Sequence, residues 1–421
     1  MSSTFRPIKS RSRHDDADIV GVIDIGTAKI CCLIASRSNP PRLLGFGHQR
    51  SRGIKAGIIV NLDDAEQCVR AAVAQAERQA GVTLERVLLA VAGGPLSSIH
   101  FTAHAEIAHA AVDGSDIGRL FDGARLYAEH DGQSLVHLNN IAYHLDGSPS
   151  LTDPRGMAGR KLTADMHAVT AEEATLRNLG LLVERCFLTP ERFVPSAIAS
   201  ARAVASAEEA RAGVAVIDIG AGTTSIAVLA EGHDLFVDNV PIGGGHITFD
   251  IMSALGTPLA EAERIKVLYG SMAEAASDER DVVTYPRQIH DETELYQISK
   301  AQLRSLIKPR VESLLTQAME KLVAGGMQAY AGERVVLTGG AAQLMGLSHF
   351  AGRFLHVGAR VAAPQPLVGM ASSSCSPAFA TVIGLLAASA NSAALPVIEQ
   401  WRPAVGPGYI GRMGQWLRES F

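Results

Sequence analysis

The sequence predicts an α/β protein built on a duplicated β-hairpin core, and three observations lead to this fold class. Segments 19–35 and 213–230 repeat one unit, in which a β-branched run ends in Asp-Ile-Gly, turns through small residues and returns as a second apolar run. Such a unit is typical of a hairpin with a glycine-rich tip. Predicted strands and helices alternate around both copies, which indicates α/β layers. A third strand, at 333–338, runs into Gly339 and Gly340 and a predicted helix.

The composition describes a chain with a large core and without a nucleic-acid partner. Of 421 residues, 47% are hydrophobic and 19% are charged, which allows a sizeable buried interior. The formal net charge of −5 argues against a nucleic-acid protein, which would carry a basic surface. The five cysteines are odd in number and include no C-x-x-C pair. This pattern excludes a disulfide framework or a cysteine zinc site and fits a reducing cytoplasm.

The remaining elements follow from periodicity and capping. The sequence predicts a helix at 62–81, a strand at 85–93, and helices at 171–186 and 194–206. Residues 97–168 are mixed and loop-rich, and we interpret them as an inserted subdomain. Residues 241–330 are predicted to be a helical insertion after the second hairpin.

Two segments raise the question of targeting. Residues 1–18 are polar and basic without an apolar run, so they predict a disordered arm rather than a signal peptide. We expect Arg6, Lys9, Arg11 and Arg13 of this arm to be solvated, with contact to lipid headgroups as the alternative. Residues 361–398 contain no charge, but prolines and polar residues interrupt the apolar window 378–398. We expect a buried core helix there rather than a membrane span.

The glycine hairpins predict a phosphate site. A tip without Cβ atoms lets backbone amides approach phosphate oxygens, and an aspartate at each strand end, Asp24 and Asp218, can hold Mg²⁺ through water. Lys29 can add a positive charge at a β- or γ-phosphate. Gly339 and Gly340, before the predicted helix, can accept a phosphate or a purine ribose. The amides are expected from Gly26, Thr27, Ala28, Gly220, Ala221, Gly222, Thr223 and Thr224. The alternative is that all three segments are ordinary turns.

These motifs carry a family resemblance. The chain resembles the FtsA family of bacterial cell-division proteins, within the superfamily of actin, Hsp70 and sugar kinases. The resemblance covers residues 19–421. It rests on DIGTAK at 24–29, the run GTPLAEAERIKVLYG at 256–270, VVLTGGAAQLMGL at 335–347 and the ending WLRESF.

The resemblance implies a two-lobed actin-like ATPase fold with an inserted 1C-type subdomain and a terminal amphipathic helix. The implied boundaries are a disordered arm at 1–18, subdomain 1A at 19–92 and 169–207, subdomain 1C at 93–168, subdomain 2A at 208–240 and 331–389, subdomain 2B at 241–330, a flexible linker at 390–407 and a membrane-targeting helix at 408–421.

The resemblance also implies a function. Family members bind ATP with Mg²⁺, polymerise on the cytoplasmic face of the inner membrane, tether FtsZ filaments there and recruit later division proteins, here through 97–168. Glu263 and Lys266 match family positions that border adenine and ribose. Without the family match, their spacing would indicate a solvated helix face.

ATP hydrolysis is expected to be slow or negligible. Hydrolytic relatives carry Glu-Pro in the first connecting helix, where the glutamate orients water, but Val194 stands before Pro195 here. Valine cannot accept a proton or orient water. Asp218 could partly substitute as a catalytic residue.

The last residues predict a membrane anchor. Residues 390–407 are rich in proline, glycine and alanine, and the apolar side chains of 408–421 recur at helical spacing. A helix of this length is about 21 Å long, too short for the roughly 30 Å hydrocarbon core, so it would lie in the interface. The alternative is a helix docked on the protein's own core. The expected contacts with anionic lipid are Ile410, Arg412, Met413, Trp416, Leu417, Arg418 and Phe421.

Two further sites were weighed from the sequence. Residues 299–315 lie where the family's 2B subdomain receives the acidic C-terminal peptide of FtsZ, and the candidate partners are Lys300, Arg304, Lys308 and Arg310. A plain surface helix is equally compatible with this segment. His100, His104 and His109 alternate along a predicted strand without a cysteine or carboxylate cluster, so we expect no metal site there.

The competing function is a small-molecule kinase, for a sugar or acetate, on the same fold. We find no catalytic aspartate with a substrate motif, and a kinase has no use for a lipid-binding terminus. A chaperone is a third class, but the chain lacks a separate β-rich substrate domain.

Overall fold

A computed structural model describes residues 19–130, 132–289, 292–371 and 375–390. The predicted arm at 1–18, the terminal helix at 408–421 and nearly all of the predicted linker lie outside these residues.

The first half of the chain contains ten strands and five helices among the described residues. In chain order they are β1 (Ile19–Ile25), β2 (Lys29–Ser36), β3 (Leu43–Arg50), β4 (Ile54–Lys55), β5 (Ile58–Ile59), α1 (Leu62–Ala80), β6 (Arg86–Val91), β7 (Leu96–Glu106), α2 (Gly114–Ala128), β8 (Gln133–Leu145), β9 (Lys161–Glu172), α3 (Glu173–Arg185), β10 (Thr189–Pro195), α4 (Ser196–Val204) and α5 (Ala207–Ala212).

The second half repeats the arrangement with a different insertion. Its elements are β11 (Val214–Ile219), β12 (Thr224–Ala230), β13 (His233–Val240), α6 (Gly244–Leu255), α7 (Leu259–Tyr269), β14 (Val282–Ile289), β15 (Glu292–Ser299), α8 (Lys300–Ala324), β16 (Arg334–Thr338), α9 (Leu347–Leu355), β17 (Gly358–Val361) and α10 (Ala380–Ala390).

Two five-stranded sheets of matching topology form the two lobes. Lobe 1 has the strand order β10-β6-β1-β2-β3 and lobe 2 has β17-β16-β11-β12-β13. In each sheet the first three strands in sequence pair antiparallel and the other two add in parallel. The predicted actin-like fold with a duplicated hairpin core is therefore confirmed.

Burial along β1 explains why this strand sits inside its sheet. Val20 and Val22 pack in the cluster that contains α10, whereas Ile23 and Ile25 pack in the cluster that contains α1. Helices on both faces bury both sets of side chains, which is why the strand reads as a nearly continuous apolar run. The predicted helix at 62–81 is confirmed, and its ends have a side-chain cap at Asn61 and a left-handed cap at Gly81.

The inserted domain, which we define as Leu96–Glu172, is a three-stranded antiparallel sheet in the order β7-β9-β8 with α2 packed on it. Its own apolar cluster includes Leu120, Leu138, Leu162 and Met166. The insertion in lobe 2 combines α6, α7 and α8 with the hairpin β14–β15. The sequence analysis expected only helices there, and the hairpin was missed because its strands carry many polar residues.

The charge-free region at the C-terminal end of the described chain forms α10, which packs against α4. Val382 and Leu385 are fully buried, so the expected core helix is confirmed over 380–390. Among the described helices, none combines the length and the apolarity that crossing a bilayer requires.

One predicted helix was wrong. The residues after Gly339 form a single 3₁₀ turn, Gly340–Gln343, and the α-helix begins only at Leu347. A left-handed glycine at Gly346 separates the two, because it turns the chain before α9 can start.

Candidate functional site

The two hairpin tips face each other across a cleft between the lobes. β1 and β11 each end in Asp-Ile, and the tight turn that follows projects into the space between the sheets. The third glycine segment, after β16, closes one side. The predicted residues that line this cleft are Asp24, Gly26, Thr27, Ala28, Lys29, Asp218, Gly220, Ala221, Gly222, Thr223, Glu263, Lys266, Gly339 and Gly340.

The tips offer backbone amides, although not all of the predicted ones. Gly26 N–H donates to the carbonyl of Lys29 at 3.0 Å, and Gly220 N–H donates to Thr223 at 2.9 Å. These amides close the turns and are not available to a ligand, so their predicted role as donors was wrong. The next two amides of each turn, from Thr27 and Ala28 and from Ala221 and Gly222, have no backbone acceptor among the described residues.

Two carboxylates lie beneath the tips, of which Asp218 is buried and Asp24 is partly exposed to the cleft. Burial raises the pKa of Asp24 to about 6, with the nearby Asp218 raising it further and Lys29 opposing the rise. Burial likewise raises the pKa of Asp218, against hydrogen bonds from Thr381 and Ser200. The Thr381 hydroxyl donates to Asp218 Oδ2 at 3.0 Å. Because burial and mutual repulsion disfavour their charges, a divalent cation between them would stabilise both, so the pair fits Mg²⁺.

Gly339 lets the third segment approach Asp218. Its φ is +89°, and a Cβ at this position would lie 2.3 Å from Asp218 Oδ1. A side chain would therefore be strained by the backbone and would collide with the carboxylate. The Gly-Gly pair is predicted to accept a phosphate or a ribose, and in the structure both glycines line the cleft while Gly339 also approaches Asp218.

Lys29 is positioned by the segment that leads into α10. Its ammonium donates to the Ala378 carbonyl and lies 5.0 Å from the centre of the Phe379 ring. The side chain also lines the cleft, where its positive charge favours the ionised forms of Asp24 and Asp218 and so opposes the rise of their pKa.

Glu263 and Lys266 form a fixed pair at the opposite end of the cleft. Lys266 Nζ lies 2.7 Å from Glu263 Oε2 and donates to Gly244 O at 3.1 Å and Thr248 Oγ1 at 2.8 Å. The Thr248 hydroxyl also donates to Glu263. This network ties the pair to the cleft wall, with the Lys266 side chain largely covered and that of Glu263 half exposed.

Two residues named in the sequence predictions, Thr224 for its amide and Val194 for its lack of a carboxylate, direct their side chains away from the cleft. Thr224 is fully buried, and its hydroxyl donates to the Ile242 carbonyl at 2.7 Å. Strand alternation at the start of β12 turns this side chain away from the cleft and directs that of Ser225 into it. Val194 ends β10 instead of lying in a helix, and its side chain packs in the apolar cluster of α10.

Several cleft residues were missed by the sequence analysis. Ser196, at the start of α4, and Ser225 line the cleft with their hydroxyl oxygens 3.0 Å apart. Gly244 lines it too, and its amide donates to Gly220 O at 2.8 Å. The run Gly243–Gly245 was a usable signal for this contact. No sequence signal pointed to Thr381, because it lies 163 residues from Asp218, the aspartate that it contacts.

The four cations expected to bind an acidic peptide lie on α8, and each already faces a carboxylate. Arg310 makes two hydrogen bonds to Asp250, at 2.7 and 2.9 Å, and Arg304 pairs with Asp278. In the same way, Lys300 lies 3.0 Å from Asp281 and Lys308 lies 3.7 Å from Glu312. An acidic ligand would have to compete with these partners.

Comparison with known proteins gives consistent matches. Residues 215–384 match the family model "Cell division protein FtsA", and residues 93–170 match "SHS2 domain inserted in FTSA". A cell division protein FtsA of Agrobacterium fabrum is 35% identical over 436 residues, covering 99% of this chain and 97% of that protein. One from Escherichia coli K12 is 30% identical, covering 96% and 99%. The solved PilM-PilN type IV pilus biogenesis complex shares the fold, with a TM-score of 0.64 at 17% identity over 88% of this chain and 98% of that one.

Proposed function

The chain belongs to the FtsA family of cell division proteins, and from that premise we propose that it binds ATP between its lobes, assembles with copies of itself and tethers FtsZ filaments to the cytoplasmic face of the inner membrane at the division site. The observation that carries this proposal is the cleft, in which two glycine hairpins, one from each sheet, present amides without a backbone acceptor above the aspartates Asp24 and Asp218.

ATP fits the chemistry of the cleft. The free amides at the tips are donors for phosphate oxygens, and a triphosphate between the tips would contact both lobes. Asp24 and Asp218 would hold Mg²⁺ through its waters, and the ion would neutralise phosphate charge. Glu263 and Lys266 would border the adenosine end. A ligand that contacts both lobes favours the closed arrangement, so ATP acts as a conformational ligand for assembly.

The membrane contact would come from residues 408–421. If fully buried, each large apolar side chain of this segment contributes roughly 1.5–3 kcal/mol, and Arg412 and Arg418 would face anionic headgroups. One such helix binds reversibly, whereas many copies in a polymer bind far more firmly. The anchor therefore depends on self-assembly.

The partner contacts are assigned to two different parts of the chain. The acidic FtsZ peptide would bind at α8 by displacing Asp250 and Asp278 from Arg310 and Arg304. Later division proteins would bind the inserted domain. Its helix α2 exposes 76% of Leu126 and 68% of Tyr127, which gives a protein partner an apolar contact.

Co-sedimentation with vesicles tests the tether directly. A labelled FtsZ C-terminal peptide is mixed with Mg·ATP, vesicles containing anionic lipid and either the full chain or a chain that ends at Pro407. The peptide should pellet only with the full chain. Trp416→Asp should behave like the truncation, whereas Gln415→Ser, on the polar side of the same segment, should behave like the parent. If the full chain pellets but the peptide does not, the FtsZ-tethering function is wrong.

A further inference from the structure

A buried carboxylate joins three parts of the molecule outside the cleft. Asp234, in β13 of lobe 2, is 5% exposed. Arg202 of α4, which lies between the lobes, forms an ion pair with its Oδ2. From the inserted domain, His137 Nε2 lies 3.5 Å from the same oxygen, and Asn139 Nδ2 donates to the Asp234 carbonyl at 3.3 Å. Lobe 2 thus holds the inserted domain although the chain connects that domain only to lobe 1.

A directed chain of hydrogen bonds reinforces this contact. Val237 N–H of β13 donates to Ser98 Oγ at 3.2 Å, and Ser98 Oγ lies 2.7 Å from His167 Nε2. His167 Nδ1 lies 3.2 Å from Asn139 Oδ1. Since an amide oxygen only accepts, the network assigns the proton to Nδ1, and Nε2 accepts the serine hydroxyl. Burial lowers the pKa of His167 to about 3, and the neighbouring His137 and His100 lower it further, so the ring is neutral.

β13 is the edge strand of lobe 2, so its outward backbone groups are available to the inserted domain. The amide of Val237 points out of the sheet and would otherwise be an unpaired edge donor. Two residues further along, Asn239 Nδ2 donates to Gly94 O at 2.8 Å and lies 3.4 Å from Ala92 O. Polar groups from one strand therefore contact both the sheet of the inserted domain and the segment that leads into it.

The same strand is next to the nucleotide cleft. Asn239 pairs in register with Ser225, which lines the cleft, and Ala92 lines it too. On the other side, Val136 and Val169 of the inserted domain pack in an apolar cluster that includes residues of lobe 1 and also Val237 of β13. The inserted domain is consequently attached to both lobes by apolar contacts, and the hydrogen-bond chain adds a directed link to lobe 2 alone.

We propose that the inserted domain is a brace between the lobes, and that a change of the angle between the lobes turns it against lobe 1 through the Val237–Ser98–His167–Asn139 chain. The proposal rests on the proposed function in one respect, because it takes Mg·ATP as the ligand that closes the lobes. As a result, the orientation of the exposed α2 surface would depend on whether the cleft holds Mg·ATP. Two distinct sites would then be coupled through a physical contact.

Pulsed electron spin resonance distances test the brace in the full chain. Cys375, the partly exposed cysteine of the described chain, is replaced by serine, and spin labels are attached at exposed positions substituted with cysteine. Labels at Arg78 and Glu320 measure the lobe-to-lobe distance, labels at Arg78 and Leu126 measure the distance from lobe 1 to the inserted domain, and labels at Leu126 and Glu320 measure the distance from the inserted domain to lobe 2.

Ser98→Ala removes the central link, and Ser97→Ala, an exposed neighbour on the same strand, is the matched control. In the parent and in S97A, Mg·ATP should shift both the lobe-to-lobe distance and the distance from lobe 1 to the inserted domain. In S98A the lobes should still close, but the second distance should shift clearly less than in the parent, because only the contacts of Asp234 and Asn239 then link the inserted domain to lobe 2 by hydrogen bonds. Without nucleotide, S98A should also broaden the distance distribution between the inserted domain and lobe 2.

The outcomes separate the two proposals. If the lobes close while the inserted domain keeps its distance to lobe 1 in the parent, the brace is wrong. The brace is also wrong if, in S98A, the distance from lobe 1 to the inserted domain shifts as much as it does in the parent. If Mg·ATP neither binds nor closes the lobes, the proposed nucleotide function fails. In that case the distance distribution between the inserted domain and lobe 2, measured without nucleotide, tests the brace. If this distribution is the same in S98A and in the parent, the brace is wrong.

Discussion

Gly222 and Thr27, one from each hairpin tip, meet across the cleft, and a Cβ on Gly222 would lie 2.5 Å from Thr27 Oγ1 and 3.0 Å from Ala56 Cα. Thr27 cannot simply turn away, because its hydroxyl accepts a hydrogen bond from Gly57 N–H at 3.0 Å. The close approach of the two tips thus depends on the absence of a side chain at position 222.

Gly222→Val should therefore force the tips apart and weaken nucleotide binding by at least about tenfold, or about 1.4 kcal/mol. Fluorescent ATP titration measures the affinity. Gly118→Ala, on α2 where a Cβ meets nothing within 4 Å, is the control and should bind like the parent. Equal affinity in both variants would show that the tips need not approach each other for binding.

The Asp24 carboxylate should destabilise the ligand-free fold while contributing to Mg·ATP binding. Its folded pKa of about 6 lies above the unfolded value of 3.8, so the folded state binds the proton more tightly and the ionised carboxylate destabilises the fold above pH 6. Asp24→Asn should raise the unfolding free energy of the ligand-free protein at pH 7.5 by about 1–2 kcal/mol, with the gain vanishing near pH 4.

The same variant should bind Mg·ATP more weakly. Urea unfolding at the two pH values, together with ATP titration, measures both effects. Asp122→Asn, an exposed aspartate on α2, should change neither quantity. A lower unfolding free energy for Asp24→Asn at pH 7.5 would contradict the reasoning from burial.

Local signals explain what the sequence could predict about the fold. The apolar runs around Asp24 and Asp218 and the small residues after them need no distant partner to define a hairpin, so the duplicated core was predictable. Which of Thr224 and Ser225 directs its side chain into the cleft depends on where β12 begins, and it begins at Thr224. A shift of one residue would reverse which side chain faces inward.

Contacts between distant segments could not be predicted in this way. The partner of Arg310 is 60 residues away, and Asp218 and Thr381 are 163 residues apart. The alternation of 100–109 predicted a strand, but only the folded chain brings His167 to Ser98. The site could be predicted where one turn supplies the groups, and not where tertiary packing brings them together.

The ion pair between Arg310 and Asp250 gives a sharper test of the peptide site than charge reversal alone. If Arg310 binds the acidic FtsZ peptide, Asp250→Asn should release the guanidinium and tighten binding about threefold to tenfold, whereas Arg310→Glu should weaken it. Fluorescence anisotropy of a labelled peptide measures both. Lys321→Glu breaks another ion pair of α8, with Asp238, and should leave the affinity unchanged. Unchanged binding after R310E and Arg304→Glu would remove this site.

The buried histidines should make the protein sensitive to acid. His167 has a folded pKa of about 3, below its unfolded value of about 6.5, so its contribution to stability is complete above pH 6.5 and is lost as the pH falls. The loss can reach about 1.4 kcal/mol per pH unit. Burial lowers the pKa of His137 as well, which adds in the same direction.

His167→Gln should flatten this dependence, since an amide can still accept from Ser98 and donate to Asn139 but does not titrate. Urea unfolding at pH 7.5, 6.5 and 5.5 gives the slope for each variant. His104→Gln, at an exposed position in β7, is the control and should keep the parent's slope. Parallel slopes for all three proteins would mean that His167 remains accessible to protons in the folded state.

ATP hydrolysis should be slow, and restoring a glutamate at position 194 should not accelerate it. We expect single-turnover phosphate release from bound Mg·ATP to be well below the roughly 1–100 s⁻¹ of kinases. The carboxylates that line the cleft among the described residues are Asp24, Asp218 and Glu263, and none of them comes from β10. A rate within the kinase range in the parent would contradict this expectation.

Val194→Glu should not accelerate the reaction, although it restores the residue type of hydrolytic relatives. Val194 is 2% exposed and packs against apolar side chains of β1 and α10, so a glutamate there would be a buried, unpaired charge. The variant should lose about 3 kcal/mol or more of unfolding free energy, whereas Val194→Ile should lose less than about 1.5 kcal/mol. Because the side chain at this position enters the core and not the cleft, a stable V194E with faster phosphate release would show that β10 rearranges when ATP binds.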